Sequence, residues 1–169
     1  MRTVLKWIGA IALAIVVGLS LVSLLARSSD GPIGAFAGGP LVEGERLEEG
    51  LSNWSSYEGV SEIDMQLLEP PRSRRLWLLV DEGNLYLPSG WVRSMPFWKH
   101  WPHQAQADGR ALLRIEGRIY PVELVKVEND DLRWNLARKL SAKYDLPVPD
   151  SSPDPEELWI FRADARGRP

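Results

Sequence analysis

Residues 72–127, RSRRLWLLVDEGNLYLPSGWVRSMPFWKHWPHQAQADGRALLRIEGRIYPVELVKV, decide the fold. Leu76 to Val80 is apolar throughout, as expected of a strand buried on both faces, and Asp81-Glu82-Gly83-Asn84 supplies turn residues before a second arm at Leu85 to Leu87. Pro88-Ser89-Gly90 closes that hairpin. Ala111 to Ile115 and Arg118 to Val127 form another around Glu116-Gly117, and Pro121 places part of the second arm at an edge or a bulge. The segment between the hairpins carries Trp91, Arg93, Phe97, Trp98, Lys99, His100, Trp101 and His103. Pro96 suits the first turn of a short helix there, and Pro102, with no N–H to donate, is expected to kink or end it.

Outward from this stretch, Ile63, Met65 and Leu67 alternate with Glu62, Asp64 and Gln66, the period of a half-buried strand that stops at Pro70-Pro71. After Asn129 the period changes. Leu132, Leu136, Leu140 and Tyr144 recur every fourth residue and predict a helix capped by Asn129, with acids in its first turn and Lys139 and Lys143 near its end. Leu146 to Glu157 reads as a connecting loop, Leu158 to Phe161 as a closing strand, and 166–169 as a frayed tail. About six strands joined mostly by hairpins predict a mainly β (α+β) fold, a small antiparallel split β-barrel with flanking helices over 51–165.

Trp7 to Ala26 contains no charged residue, and at about 1.5 Å per residue it makes roughly 30 Å of helix, enough to cross a bilayer. Residues 1–27 are read as an uncleaved transmembrane anchor, with a cleaved secretory signal as the rival. Arg2 and Lys6 place the N-terminus in the cytoplasm and the domain outside it, as for a single-pass protein of a bacterial-type inner membrane. Residues 28–50, rich in glycine, read as a flexible tether.

The 169 residues carry a formal charge of −3 and no cysteine, which excludes disulfides, thiolate metal sites and cysteine nucleophiles. Three of the 20 cations and none of the 23 carboxylates lie in the first 27 residues, so the domain itself is acidic and nucleic acid is not an expected partner. No metal site is expected, since His100 and His103 lack a nearby third ligand. The expected partners are the bilayer, through residues 7–26, and a second copy or another membrane protein.

Four segments, Arg75-Leu-Trp-Leu-Leu-Val, Asn84-Leu-Tyr-Leu-Pro-Ser89, Phe97-Trp-Lys99-His-Trp and Asp108-Gly-Arg110-Ala-Leu-Leu-Arg-Ile, follow one another in an order that resembles the split β-barrel superfamily. That superfamily includes the pyridoxamine 5′-phosphate oxidases and the deazaflavin-dependent nitroreductases, and the resemblance covers roughly Val60 to Phe161. It is closest to membrane-anchored members of unassigned activity. It implies Arg75, Ser89 and Lys99 as contacts to the phosphate and ribityl chain of FMN or a deazaflavin. The chain departs from the family pattern in two places. The threonine-serine-x-lysine character after the second strand gives way to a longer insertion with three tryptophans, and Asp108-Gly109 stands where proline is common.

Arginine binds phosphate through paired, charge-assisted donors, so Arg72, Arg74, Arg75, Arg93 and Lys99 are candidates to gather around a phosphate. Trp91, Trp98 and Trp101 offer flat surface for an isoalloxazine, haem or quinone ring, and His100 and His103 offer proton handling beside it. The rival reading is that these rings plug a barrel end or lie at an interface. The cofactor-binding candidates are therefore Arg75, Ser89, Arg93, Trp98, Lys99, His100 and Trp101, with no catalytic residue assigned. The functions expected are a flavin-type redox domain, a cofactor-free binding or assembly module using Trp91 to His103 as its contact surface, or a haem binder.

Overall fold

The computed structural model describes residues 2–167 apart from 35, 98 and 149, so the expectation for Trp98 lies outside the described residues. Among the described residues there are three α-helices, a 3₁₀ turn at Ser55–Tyr57, and eight strands in one curled, antiparallel half-barrel sheet. Helix α1 is Arg2–Ala26, followed by the short strand β1 (Glu45–Arg46), β2 (Glu62–Leu67), β3 (Arg72–Trp77), β4 (Leu79–Asp81) and β5 (Asn84–Ser89). Helix α2 (His100–Ala107), β6 (Arg110–Ile115), β7 (Arg118–Lys126), α3 (Asp130–Lys143) and β8 (Trp159–Ala165) complete the chain. The sheet runs β3-β2-β6-β7-β8-β5-β4, with β1 added in parallel to β7.

The two ends of that path are consecutive in sequence. The run predicted as one strand over Leu76 to Val80 instead starts at Arg72 and is interrupted at Leu78; its first part pairs with β2 and its second with β5. One piece of chain thereby serves both margins of the sheet. The interruption leaves the Leu78 backbone without ladder partners, and Tyr144, the residue closing α3, supplies them. Its hydroxyl accepts from Leu78 N–H at 3.0 Å and lies 2.8 Å from the Leu78 carbonyl and 2.5 Å from that of Ser61. The Tyr144 ring stacks on Trp77, centroids 4.6 Å apart and planes 13° from parallel.

Both tight hairpin turns have the same chemistry. Glu82-Gly83 and Glu116-Gly117 all take positive φ, the geometry that matches the right-handed twist of the flanking strands and that glycine adopts without strain. Alternation sends Ile63, Met65 and Leu67 of β2 inward to meet Leu85, Leu87, Leu113, Val122 and Phe161. Trp54, 1% exposed, joins Tyr57 and Tyr120 in an aromatic cluster at 5.2 to 6.2 Å, in which the two tyrosine hydroxyls lie 2.9 Å apart. A second core lies outside the sheet, where Leu136 and Leu140 of α3 cover Leu79, Tyr86 and Ile160. Helix α3 matches the sequence expectation, its Asn129 side chain accepting from Leu132 N–H at 2.8 Å.

Two prolines behave differently from expectation. Pro102 neither kinks nor ends α2 but occupies its first turn, where backbone N–H groups have no intrahelical acceptor to lose. Pro121 sits within the central strand β7, at the place where pairing on one side passes from β1, which ends at Ile119, to β8, which begins at Val122. No ladder donor is needed there on that side.

Of residues 28–50, expected as a tether, several described ones are bonded to the barrel. Gly38 bridges Ser73, the Ser73 hydroxyl donates to the Gly39 carbonyl at 2.6 Å, and Leu41, fully buried, donates its N–H to Gln66 Oε1 at 2.7 Å. Asp30 accepts from Val42 N–H at 2.5 Å and pairs with Arg114 at 2.6 Å. This cover is why Asp64 and Gln66, on the outward side of β2, are 8% and 5% exposed rather than solvated. Lys6–Ala26, within α1, is long and apolar enough to cross a membrane and, short of its buried last residue, is not buried against the rest of the chain, a character that a signal sequence shares.

Tyr144→Phe removes both the acceptor for Leu78 N–H and the donor to its carbonyl. Urea unfolding of this variant is expected to show a loss of about 1–3 kcal/mol, the usual range for an orphaned backbone group, with the far-UV spectrum unchanged.

Candidate functional site

The register of β3 against β2 decides where each arginine of Arg72-Ser-Arg74-Arg75 points. Directly opposed residues share a face, and the pairs are Leu67 with Arg72, Met65 with Arg74 and Ile63 with Leu76. Because Ile63, Met65 and Leu67 line the barrel interior, Arg72, Arg74 and Leu76 lie on the interior side of an edge strand, at the open margin of the half-barrel. Arg75 and Ser73 take the opposite side, paired with Asp64 and Gln66.

A cavity of about 650 Å³ follows the interior side of β3. Its cations are Arg27, Arg72, Arg74, Arg75 and Lys99, with His100 at its edge, and none of the described residues lining it is acidic. Arg74 Nε is buried with no hydrogen-bond partner. Burial, and then the neighbouring charge of Arg72, push the Arg74 guanidinium down from its ordinary range to about 10. Lys99 is lowered in the same direction, by burial first and then by Arg74. Arg74 and Lys99, partly desolvated and with no acidic residue among the described lining, favour an anion with several acceptor oxygens.

At Leu76, Arg75 and Lys99 the cavity meets an apolar groove of about 390 Å³ floored by Trp77, Ala137, Leu140 and Leu158 and edged by Trp91, Leu146 and Pro153. Trp91 is 66% exposed and adopts positive φ, +55°, which costs a non-glycine residue about 1–3 kcal/mol when it is held there. The two depressions adjoin at Arg75, Leu76 and Lys99, one charged and the other apolar, and together are termed the cleft.

The sequence candidates are distributed unevenly over this cleft. Lys99 stands at the junction and lines both parts; His100 is exposed on the cavity rim. Trp101 lines the cavity but is 4% exposed and packs on Phe161 at 5.4 Å, so its ring belongs mainly to the core. Arg75 contributes to the rim, yet its guanidinium is held on the outer side by Asp64 at 2.9 and 3.3 Å, an engagement that raises its pKa. Ser89 is opposed to Trp159 in the register and faces the core; it lines neither part of the cleft, and its Oγ is buried without a hydrogen-bond partner. Arg93 is exposed and engaged by Asp154, Glu156 and Glu157 at 2.7 to 3.3 Å. His103 lies edge-on to Trp159 at 4.8 Å, away from the cavity. Arg27 and Trp77 carry part of the cleft without having been singled out in the sequence.

No family model matches the chain, and no curated protein matches it. A solved structure titled F420 Reductase is similar to it, at 13% identity and a TM-score of 0.44, covering 69% of this chain and 95% of that one.

A base whose pKa falls on folding destabilises the fold while it is charged, and that penalty lifts as pH rises through about 10. Arg74→Met is therefore expected to raise the stability of the ligand-free protein at pH 7 by about 1–3 kcal/mol in urea unfolding. The same variant should lose most of the rise in Tm that pyrophosphate gives the unsubstituted protein.

Proposed function

We propose that this chain is a redox-type domain of split β-barrel kinship, held at a membrane by α1, whose cleft binds a flat-ringed, phosphorylated cofactor of the flavin or deazaflavin class. The observation that carries the reading is the cavity, with no acid among its described lining, that holds the unpartnered Arg74 Nε and shares Lys99 with an adjoining apolar groove. Such a cleft suits a ligand with an anionic tail and a ring that gains by leaving water, and its combined size is in the range of small-molecule sites. In this reading Arg74 and Lys99 hold the phosphate, Trp77, Trp91 and Leu140 hold the ring, and His100 on the rim exchanges protons with solvent.

When bound, the ring supplies hydride or electron transfer. The chain itself neutralises the tail, excludes water from one side of the groove and orients the ligand along β3. This assignment moves the leading phosphate contact from Arg75 to Arg74, because Asp64 already satisfies the Arg75 fork.

A second reading, a cofactor-free contact module, draws on the exposed rings of Trp91, Phe97 and Trp77 around the same opening. Titration separates the two. The purified full-length protein should bind FMN or a deazaflavin with a shifted visible spectrum, and Arg74→Met should weaken that binding by about tenfold or more, the worth of a charge-assisted hydrogen bond. A colourless preparation that binds neither ring leaves the contact module as the better account.

A further inference from the structure

The cavity has a second end, and it belongs to α1. Along β3 the residues Arg72, Arg74 and Leu76 advance by about 13 Å at the usual rise of a strand. Leu76 meets the groove, whereas Arg72 donates to the Gly38 carbonyl and lines the cavity together with Ser23 and Arg27. Ser23 and Arg27 come from the last turn of α1 and the residue that follows it.

The connection between α1 and the sheet is short and hydrogen-bonded. Ala26 is fully buried, and its carbonyl accepts from Ser29 Oγ at 2.7 Å. The Ser29 carbonyl in turn accepts from Gly39 N–H at 3.1 Å, and Gly38 bridges Ser73 on β3. No added side chain fits at Gly38 or Gly39, where a Cβ would stand 1.8 Å and 2.7 Å from backbone oxygens. The cavity is thus set at a fixed place relative to the point where the apolar helix ends.

In a bilayer crossed by Lys6–Ala26, that point is the headgroup layer. Anionic headgroups attract basic residues there, and aromatic side chains favour the same depth. Phe97, 72% exposed, stands on the cavity wall among the cations.

From this placement we infer that the Arg27 and Arg72 end of the cavity binds the phosphate of an anionic phospholipid headgroup, with the acyl chains remaining beside α1. The inference goes beyond the cofactor reading and rests instead on Lys6–Ala26 being an uncleaved span. Arg27 and Arg72 act on the lipid phosphate, Phe97 lies on the glycerol side of it, and the groove end remains open to a ring-bearing ligand. The bound headgroup would fix the domain against the membrane surface with the mouth of the cleft toward the lipid.

The test uses full-length protein, delipidated in an uncharged detergent and titrated separately with short-chain phosphatidylglycerol, short-chain phosphatidylcholine, inorganic phosphate and FMN, followed by tryptophan emission. Phosphatidylglycerol is expected to bind about tenfold tighter than phosphatidylcholine or phosphate. The double substitution Arg27→Gln and Arg72→Gln should abolish that preference, and Arg27→Lys with Arg72→Lys should restore much of it. Equal binding of the two lipids overturns the inference, as does inorganic phosphate binding as tightly as phosphatidylglycerol. Lipid preference without FMN binding leaves the inference standing and removes the cofactor reading; FMN binding without lipid preference does the reverse.

Discussion

The arrangement depends on one run of chain, Arg72 to Asp81, serving both margins of the sheet. A strand that pairs with β2 and then with β5 must bend between them, and the bend at Leu78 strands a peptide unit that neither ladder can satisfy. Tyr144 meets that need from a helix 66 residues further along the chain. The same residue lays its ring on Trp77, so α3 is tied to the bend both by hydrogen bonds and by stacking. The second core, under Leu136 and Leu140, follows from the helix being held there.

The bend also makes the cleft. On one side of it the strand turns Arg72 and Arg74 toward the barrel interior; on the other it passes beneath α3, leaving the groove between Trp77 and Leu140. Buried cations without carboxylate partners weaken a fold, and a protein that keeps them gains that energy back only when an anion arrives. Several other arginines meet carboxylates within the structure, although Arg133 Nε and Arg166 Nη2 are, like Arg74 Nε, buried without a hydrogen-bond partner. Arg114 lies between Asp30 and Asp64, Arg93 among three carboxylates, and Arg162 beside Asp164. The cavity is singled out by Arg74 lying among other cations with no acidic residue among the described lining.

Much of the local structure was legible. The alternation of Ile63 to Leu67, the Asp-Glu-Gly-Asn turn, and the capped stripe from Asn129 to Tyr144 each carry a pattern strong enough to survive packing. Other features were not. Trp54, among the most buried residues, lies in a stretch with no period, because a 3₁₀ turn of three residues leaves none. Strand β3 was hidden by its arginines, which break the apolar pattern of an edge strand bordering a cavity rather than a core. The Gly-rich segment from Ser28 reads as loose by composition, but its contacts with Ser73, Gln66 and Arg114 come from residues that look like ordinary surface positions.

Sequence alone determined the periods: an apolar helix about as long as a bilayer is thick, hairpins whose turns require glycine, and one capped amphipathic helix. Those are local properties, set by backbone sterics and by the spacing of apolar residues. Which of Arg72, Arg74 and Arg75 meets Asp64 and which faces the cavity was decided only by tertiary structure. A one-residue change of register would exchange the two sides of β3, and that register is set by its pairing with β2 and by the covering segment at Gly38, not by anything within the arginine run itself.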